Sequence, residues 1–551
     1  MEEGVGRLIF SPFDDSLARL VLAGGEPVGR IRALPKTFRA GQTRRSADPR
    51  PGRDRGFFVL KERPLALPAH VASIAPRDLA DARDLISRVP ARASAIEYRL
   101  DGTVEPVPPA ALLALDPRPA IVTWRTAREG GHFDGSVEEY RRLVLAAHAE
   151  GAIVDVEHAS GLASDPGLAG ARRLIVSAHF PFGLPDDWEA ILAEMRQPGA
   201  LAVKLVAGTA HLAASLAVAE IGRRHADGRT AIFPMGPASA PGRILAALFG
   251  SSLVYGAVGR PTAPGQPTLA ELLDVYATDR PRRPDALFGV VAADPAGSLS
   301  PAVHNALFRS RRLACLYLPL PVSDFEREAP HEISFDPPLQ GFSVTRPWKI
   351  HAARVGLPGE DVRASGAANT LVRERRRWRA ENTDVDGVFD PLADHDTGEG
   401  RTAVILGTGG VARAAIVAAK RLGYEVAVAG RRDVQADALA ATFGVDSIAW
   451  AGVQGTEADL YVNATPVGWR PDDPPAVPLS LLEGRPLVFD CVYRRDGEET
   501  ATIRAARAAG CRSVDGLEMF AVQAAAQARL FGVEGVTREE VGRILGEARA
   551  A

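Results

Sequence analysis

Residues 402–432 read TAVILGTGGVARAAIVAAKRLGYEVAVAGRR, and this stretch decides the fold of the second half of the chain. The apolar run AVIL leads into Gly407, Gly409 and Gly410, then into a helical pattern rich in alanine, then into a second apolar run, EVAVA. Strand, glycine turn, helix and strand in that order open a dinucleotide-binding α/β unit, whose helix N-terminus holds a pyrophosphate. Where an acidic residue would bind an unphosphorylated ribose, Arg431 and Arg432 end the second strand instead. They favour a 2′-phosphate and so predict NADP over NAD.

Upstream of this stretch, ALFGVV, ACLYLP and QGFSV alternate with helical segments from about 284 to 395. The expected architecture is a two-lobed α/β unit: a first lobe at 284–395, completed by C-terminal helices at 516–548, and a Rossmann-type lobe at 398–515. The charged, proline-rich segment TDRPRRPDA at 278–286 reads as a linker. Before it, eight short apolar runs recur: HVASI, SAIEYR, PAIVTW, AIVDVE, RLIVSA, LAVKLV, TAIFP and SLVYG. Eight strands spaced some 20 to 30 residues apart, each followed by a helical pattern, predict a (β/α)8 barrel over 66–280. The first 65 residues, dense in Arg, Pro, Gly and Ser between Ala33 and Gly56, read as a poorly ordered extension.

At 551 residues the chain needs two or three cores. Its formal net charge of -3 gives no electrostatic reason to expect nucleic acid or an anionic membrane as partner, so the expected ligands are small molecules. Cys315, Cys491 and Cys511 lie far apart in no CxxC arrangement, which indicates neither a disulfide framework nor a zinc site and fits a reducing cytoplasm. No apolar run approaches the roughly 20 residues of a membrane span, and no export signal is read at the start.

Lysine is scarce, five residues against sixty arginines. A guanidinium stays charged, whereas a desolvated amine can attack a carbonyl or exchange a proton, so Lys204 and Lys349, each within a polar cluster, are candidates for chemistry. Inside the apolar strand VKLV the ammonium of Lys204 is disfavoured, and its pKa is expected to fall. A neutral amine there can form an imine with a ketone. His179, at the adjacent strand end, is a candidate base that Glu129 could orient. The competing reading is a buried lysine paired with Glu97 or Glu157 for stability.

The strings EYRLD (97–101), TWRTAREGG (123–131), VDVE (154–157), SAHF (177–180) and FGSSLVYGAVGRPTAPGQ (249–266), with the lysine strand, resemble type I 3-dehydroquinate dehydratase through all eight strands. The resemblance implies that Lys204 forms the imine, His179 moves protons and Glu129 assists. It further implies that Arg243, Gln266 and Thr262 hold carboxylate and hydroxyls, and that Glu97, Arg99 and Arg125 complete a pocket needing no metal. Gly242 and Thr262 depart from that family's usual residues.

From about 284 to 548 the chain resembles shikimate dehydrogenase: SLSPAVHN (298–305), GFSVTRPWK (341–349), GAANT (366–370), NTDVDG (382–387), GTGGVAR (407–413), NATPVG (463–468) and GLEMFAVQAAAQ (516–527). The resemblance assigns proton transfer to Lys349 and Asp384. It places Ser298, Ser300, Thr345, Asn369, Tyr493 and Gln523 on a polyhydroxylated acid, and Asn463 and Thr465 at the cofactor. Ser343 and Trp469 depart from its usual asparagine and methionine, and Trp469 is expected near the nicotinamide. Together the halves predict a bifunctional shikimate-pathway enzyme, with room for a homodimer. Two alternatives are a quinate-directed fusion and a non-catalytic sensor of pathway intermediates, and the presence of all four of Lys204, His179, Lys349 and Asp384 weighs against the sensor.

Overall fold

The computed structural model describes residues 65–550 apart from 169–171, 197–198, 281, 396–399 and 495; the expected N-terminal extension, up to residue 64, lies outside the described residues. Eight parallel strands come first: β1 (Ala69–Ile74), β2 (Ala95–Arg99), β3 (Ala120–Thr123), β4 (Ile153–Glu157), β5 (Leu174–Phe180), β6 (Ala202–Gly208), β7 (Thr230–Met235) and β8 (Leu253–Ala257). Their order runs from β7 back through β1 to β8. The Ser252 amide donates to the Thr230 carbonyl at 3.2 Å, so the two end strands also meet and the barrel nearly closes.

Side chains alternate across each strand. On β6, Val203, Leu205 and Ala207 join the shell packed beneath the outer helices, whereas Ala202 and Val206 join the barrel interior. The same alternation sends Ile153 of β4 and Ile175 of β5 inward at the N-terminal end. Towards the C-terminal end the interior turns polar, which is where such barrels place their chemistry.

One expectation is corrected. Between β4 and β5 the described residues carry only two short 3-10 turns, His158–Ser160 and Leu162–Ser164, and no α-helix. The sequence there, HASGLASDPG, explains it: Gly161 takes a left-handed φ of 71°, and a Pro-Gly pair stands at 166–167.

The second half holds two six-stranded sheets. The first has the order β10 (Cys315–Pro321), β9 (Ala286–Ala292), β11 (Leu339–Val344), β13 (Thr370–Glu374), β14 (Arg377–Glu381) and β12 (Leu357–Pro358). It is mixed, because β13 runs antiparallel to both its neighbours. One face is covered by the Ser300–Ser310, Gly516–Leu530 and Arg538–Ala550 helices through Phe288, Tyr317, Phe520 and Ile544. The second sheet is wholly parallel, ordered β17 (Asp446–Ile448), β16 (Glu425–Ala429), β15 (Thr402–Leu406), β18 (Leu460–Asn463), β19 (Leu487–Asp490) and β20 (Ser513–Val514). Strand order reverses direction at β15, the switch point where dinucleotides bind in such sheets. The described residues form one compact unit. No described helix is long and apolar enough to cross a membrane.

Candidate active sites

At the polar end of the barrel, β6 presents Lys204, which is 4% exposed. Its Nζ pairs with Asp155 of β4, stands 3.8 Å from Glu97 Oε1 and lies 4.6 Å from the centre of the Tyr255 ring. Glu97 was an expected partner, whereas Asp155, the carboxylate that sits directly on the amine, was not. Burial opposes the charge on Asp155, but Lys204 and Arg125 together hold its carboxyl below the usual range. Glu97 is engaged elsewhere, accepting from Ser73 Oγ at 2.5 Å and Thr123 Oγ1 at 3.1 Å.

Arg125 organises this end. Its guanidinium donates to Glu129 and Glu157 at 3.1 Å each, to Ser177 at 3.0 Å and to Asp155 at 2.9 Å. Burial disfavours its charge, and the three carboxylates more than offset this. Removing one member of such a buried cluster costs about 3–5 kcal/mol, because the charges left behind stay desolvated. Arg125, expected to complete the pocket, lines it and also serves as a hub for carboxylates.

His179 is the penultimate residue of β5, two residues on from Ser177, whose β6 partner is Lys204. Its Nδ1 lies 2.9 Å from Glu129 Oε2, and its backbone amide donates to the same oxygen at 3.0 Å. Burial lowers the His179 pKa well below the ordinary value, helped by the Arg125, Lys204, Arg99 and Arg243 cations, so the ring stays neutral. Burial pushes Glu129 up to about 8 against Arg125, with Glu157 and Asp155 adding to the rise. With three donors converging on Glu129 Oε2, an ionised Glu129 holds His179 with its proton on Nδ1 and leaves Nε2 as a base.

Arg243 completes the pocket differently. It is 8% exposed and has no ion-pair partner among the described residues; its Nε is unpartnered and its guanidinium lies 4.9 Å from the centre of the Phe233 ring. Burial lowers its pKa to about 10, partly offset by Glu97, so it remains a cation seeking an anion. Arg99 is neutralised by Asp101 at 2.8 and 2.9 Å. Thr262 and Gln266 bond each other at 2.8 Å beside it.

In the second half, a cavity of about 490 Å³ separates the mixed sheet from the parallel one. Lys349 Nζ meets Asp384 Oδ2 at 2.5 Å. Asn369 donates to Asp384 Oδ1 and to Thr383 Oγ1, both at 2.9 Å, so its amide positions the carboxylate. Ser298, Ser300, Thr345, Tyr493 and Gln523 line the same cavity, opposite Ala464, Thr465, Pro466 and Trp469. Trp469 meets Tyr493 edge-on at 6.2 Å. Asn463 does not face the cavity: fully buried, it donates to Asp490 at 2.8 Å and to the Val467 carbonyl at 2.9 Å, which builds the turn that presents Thr465. Ser343 accepts from Tyr317 at 2.5 Å and donates to Gln527 at 2.8 Å, and Gln527, missed by the sequence reading, also lines the cavity.

The residues at the switch point fit a phosphorylated dinucleotide. Gly407 has a φ of 125° and passes so close to Ala464 that a Cβ would lie 2.7 Å from its carbonyl oxygen. Gly409 starts the Gly410–Arg421 helix without a side-chain cap, and a Cβ there would meet nothing within 4 Å, which leaves the helix N-terminus open to an anion. Arg431 and Arg432 are exposed just past β16, without an ion pair among the described residues.

Residues 70–282 match the family model for type I 3-dehydroquinase, and residues 290–371 match that for the shikimate dehydrogenase substrate binding domain. The shikimate dehydrogenase (NADP(+)) of Methanocella arvoryzae is 35% identical over 254 residues, 43% of this chain and 90% of that protein. The chain belongs to the shikimate dehydrogenase family, and a type I 3-dehydroquinase domain precedes that part. The bifunctional 3-dehydroquinate dehydratase/shikimate dehydrogenase of Arabidopsis thaliana, a chloroplastic protein, is 28% identical over 450 residues, 76% of this chain and 74% of that protein. Among solved structures, the dehydroquinate dehydratase and shikimate dehydrogenase from S. pombe AroM covers 88% of this chain and 99% of its own, at 21% identity and a TM-score of 0.38. In the 3-dehydroquinase half, the missed Asp155 had a signal: in IVDVE it alternates with Val154 and Val156, which places it inside the barrel with Lys204. In the shikimate dehydrogenase half, Gln527 had one too, lying four residues after Gln523 on the same helix face.

Proposed function

We propose that the barrel dehydrates 3-dehydroquinate through an imine on Lys204, and that the second half reduces the resulting 3-dehydroshikimate to shikimate with NADPH. The observation that carries this reading is the presence of two separate lysine–carboxylate centres, Lys204 with Asp155 and Lys349 with Asp384. Lys204 attacks the ketone, and Asp155 keeps the resulting iminium protonated, which makes it an electron sink. His179 takes the proton from the neighbouring carbon and returns one to the departing hydroxyl. Arg243 receives the substrate carboxylate as a bidentate cation.

In the second half Ser298, Ser300, Thr345 and Gln523 hold hydroxyl and carboxylate groups. Lys349, paired with Asp384, gives the proton that the ketone oxygen needs on reduction. Gly407, Gly409, Gly410 and Thr465 would hold the dinucleotide, and Arg431 with Arg432 its 2′-phosphate; bound there, NADPH supplies the hydride. This division assigns about 66–280 to the dehydratase, with 284–395 and 398–515 as the two dehydrogenase lobes. The three cysteines are unpaired, which supports a reducing, cytoplasmic setting.

The test uses purified protein with 3-dehydroquinate and NADPH, following enone absorbance and NADPH loss together. Wild type should make shikimate, Lys204→Ala should leave dehydroquinate untouched, and Lys349→Ala should accumulate dehydroshikimate. Borohydride added with dehydroquinate should fix mass on Lys204. Folded wild type that changes neither signal would sink the catalytic reading and favour a sensor.

A further inference from the structure

The helix that carries Arg243 is enclosed by the dehydrogenase half, and we propose that this half positions the arginine for the dehydratase, with Phe335 and Glu328 as positioning residues of a site in the other half. The proposal rests on the reading of Arg243 as the receptor for the substrate carboxylate.

An outer helix of such a barrel packs one stripe on the strands and leaves the other side to water. The Ala240–Leu248 helix does not: every residue from Pro241 to Leu248 is buried. On one side lies the Leu212–Arg224 helix, so close that a Cβ on Gly242 would sit 2.4 Å from the Ser215 carbonyl oxygen. On the other side lies β10. Ile244, Leu245 and Leu248 belong to a single apolar core with Leu316, Leu318 and Leu320, the residues that alternate along β10 with Tyr317, which packs on the opposite face of the sheet. At the helix end, Phe249 stacks on Phe335 with ring centres 6.4 Å apart and planes at 24°.

The neighbouring helix is tied in the same way. Leu212–Arg224 begins with no side-chain cap of its own, and Glu328 places a carboxylate oxygen 3.5 Å from the Leu212 amide. The other Glu328 oxygen is fixed by the Ser323 amide at 2.7 Å and hydroxyl at 2.8 Å. A carboxylate at a helix N-terminus is favourable. Arg243 itself has no ion pair to aim it, so its direction comes from its helix backbone and the Phe233 ring. A helix that shifts when its cover is lost would misdirect the guanidinium, and the loss would fall on substrate binding, far from the imine chemistry.

Phe335→Ala in the full chain should raise the KM for dehydration about fivefold or more, with kcat within about twofold and the kinetics of shikimate oxidation unchanged. Phe335→Leu, which keeps an apolar cover, should restore most of the KM, and Glu328→Gln should shift it in the same direction by less. Arg243→Lys serves as the reference. If Arg243→Lys leaves KM unchanged, the reading of Arg243 fails and the proposal with it. If Arg243→Lys raises KM and Phe335→Ala does not, the positioning role alone is wrong. A Phe335→Ala protein that loses both activities together with its melting temperature, and that leucine does not rescue in KM, would mark Phe335 as a stabilising contact and overturn the proposal.

Discussion

At the scale of single residues, the barrel site turns on one oxygen. Glu129 Oε2 receives Arg125 Nη1, the His179 amide and the side of the His179 ring that carries Nδ1. Protonating that oxygen removes the acceptor that fixes the His179 tautomer. Burial has raised Glu129 to about 8, so the ionised form that holds His179 as a base is the high-pH form. The kcat/KM for dehydration should therefore fall as pH drops through about 8, by up to about tenfold per unit, and level off above it. In Glu129→Gln that limb should vanish, leaving a lower and flatter profile; a limb that survives the substitution belongs to another group. Gly242 has an equally local reason. Any side chain there would put a Cβ 2.4 Å from a backbone oxygen, so Gly242→Ser should cost about 1–3 kcal/mol in a urea melt. Legibility at this scale was uneven. Lys204 stood out as a polar residue inside an apolar strand, and His179 and Glu129 as polar residues near strand ends, but the partner of Lys204 did not, because a sequence shows which way Asp155 points within its strand and not which strand lies across the barrel.

At the scale of elements, the glycine turn after β15 separates two tasks that the motif merges. Gly409 faces open space, so Gly409→Ala should leave the melting temperature unchanged while raising the KM for NADPH about tenfold or more, because the methyl takes the place where the phosphates meet the helix N-terminus. Gly410 faces inward, where a Cβ would lie 2.8 Å from Lys349 Cβ and 3.0 Å from its Cδ. Gly410→Ala should therefore lower kcat for reduction by about 10- to 100-fold, by pushing Lys349 away from Asp384, with a smaller effect on the KM for NADPH. Steady-state kinetics of the two variants side by side separate these effects, and equal behaviour would refute the division. Strands were the most legible elements, since each of the eight barrel runs is short, apolar and bounded by turn residues. The β4–β5 connection was misread because its apolar residues, Leu162, Ala163 and Leu168, fall at spacings a helix tolerates, while Gly161 and the Pro-Gly pair at 166–167 forbid one.

At the scale of the whole molecule, the two halves share a core that no periodicity could announce. Leu316, Leu318 and Leu320 alternate as in any half-buried strand, and the partner across them is a helix some 70 residues upstream. Sharing a core does not require sharing an intermediate. The barrel pocket and the cavity between the sheets each open at the surface, and each has its own lysine, carboxylate and substrate-binding groups. A 3-dehydroshikimate molecule released from one chain should therefore be a competent substrate for another. Mixing Lys204→Ala with Lys349→Ala protein in equal amounts should restore conversion of dehydroquinate to shikimate. NADPH loss should begin after a lag, as released intermediate accumulates to the working range of the second site, and the lag should shorten as the share of Lys349→Ala protein, the active dehydratase, is raised. Wild type at matched site concentrations should show the same lag. If wild type instead consumes NADPH from the first seconds while the mixture lags, the intermediate passes within one chain, and the shared core becomes the feature that holds the two mouths in register.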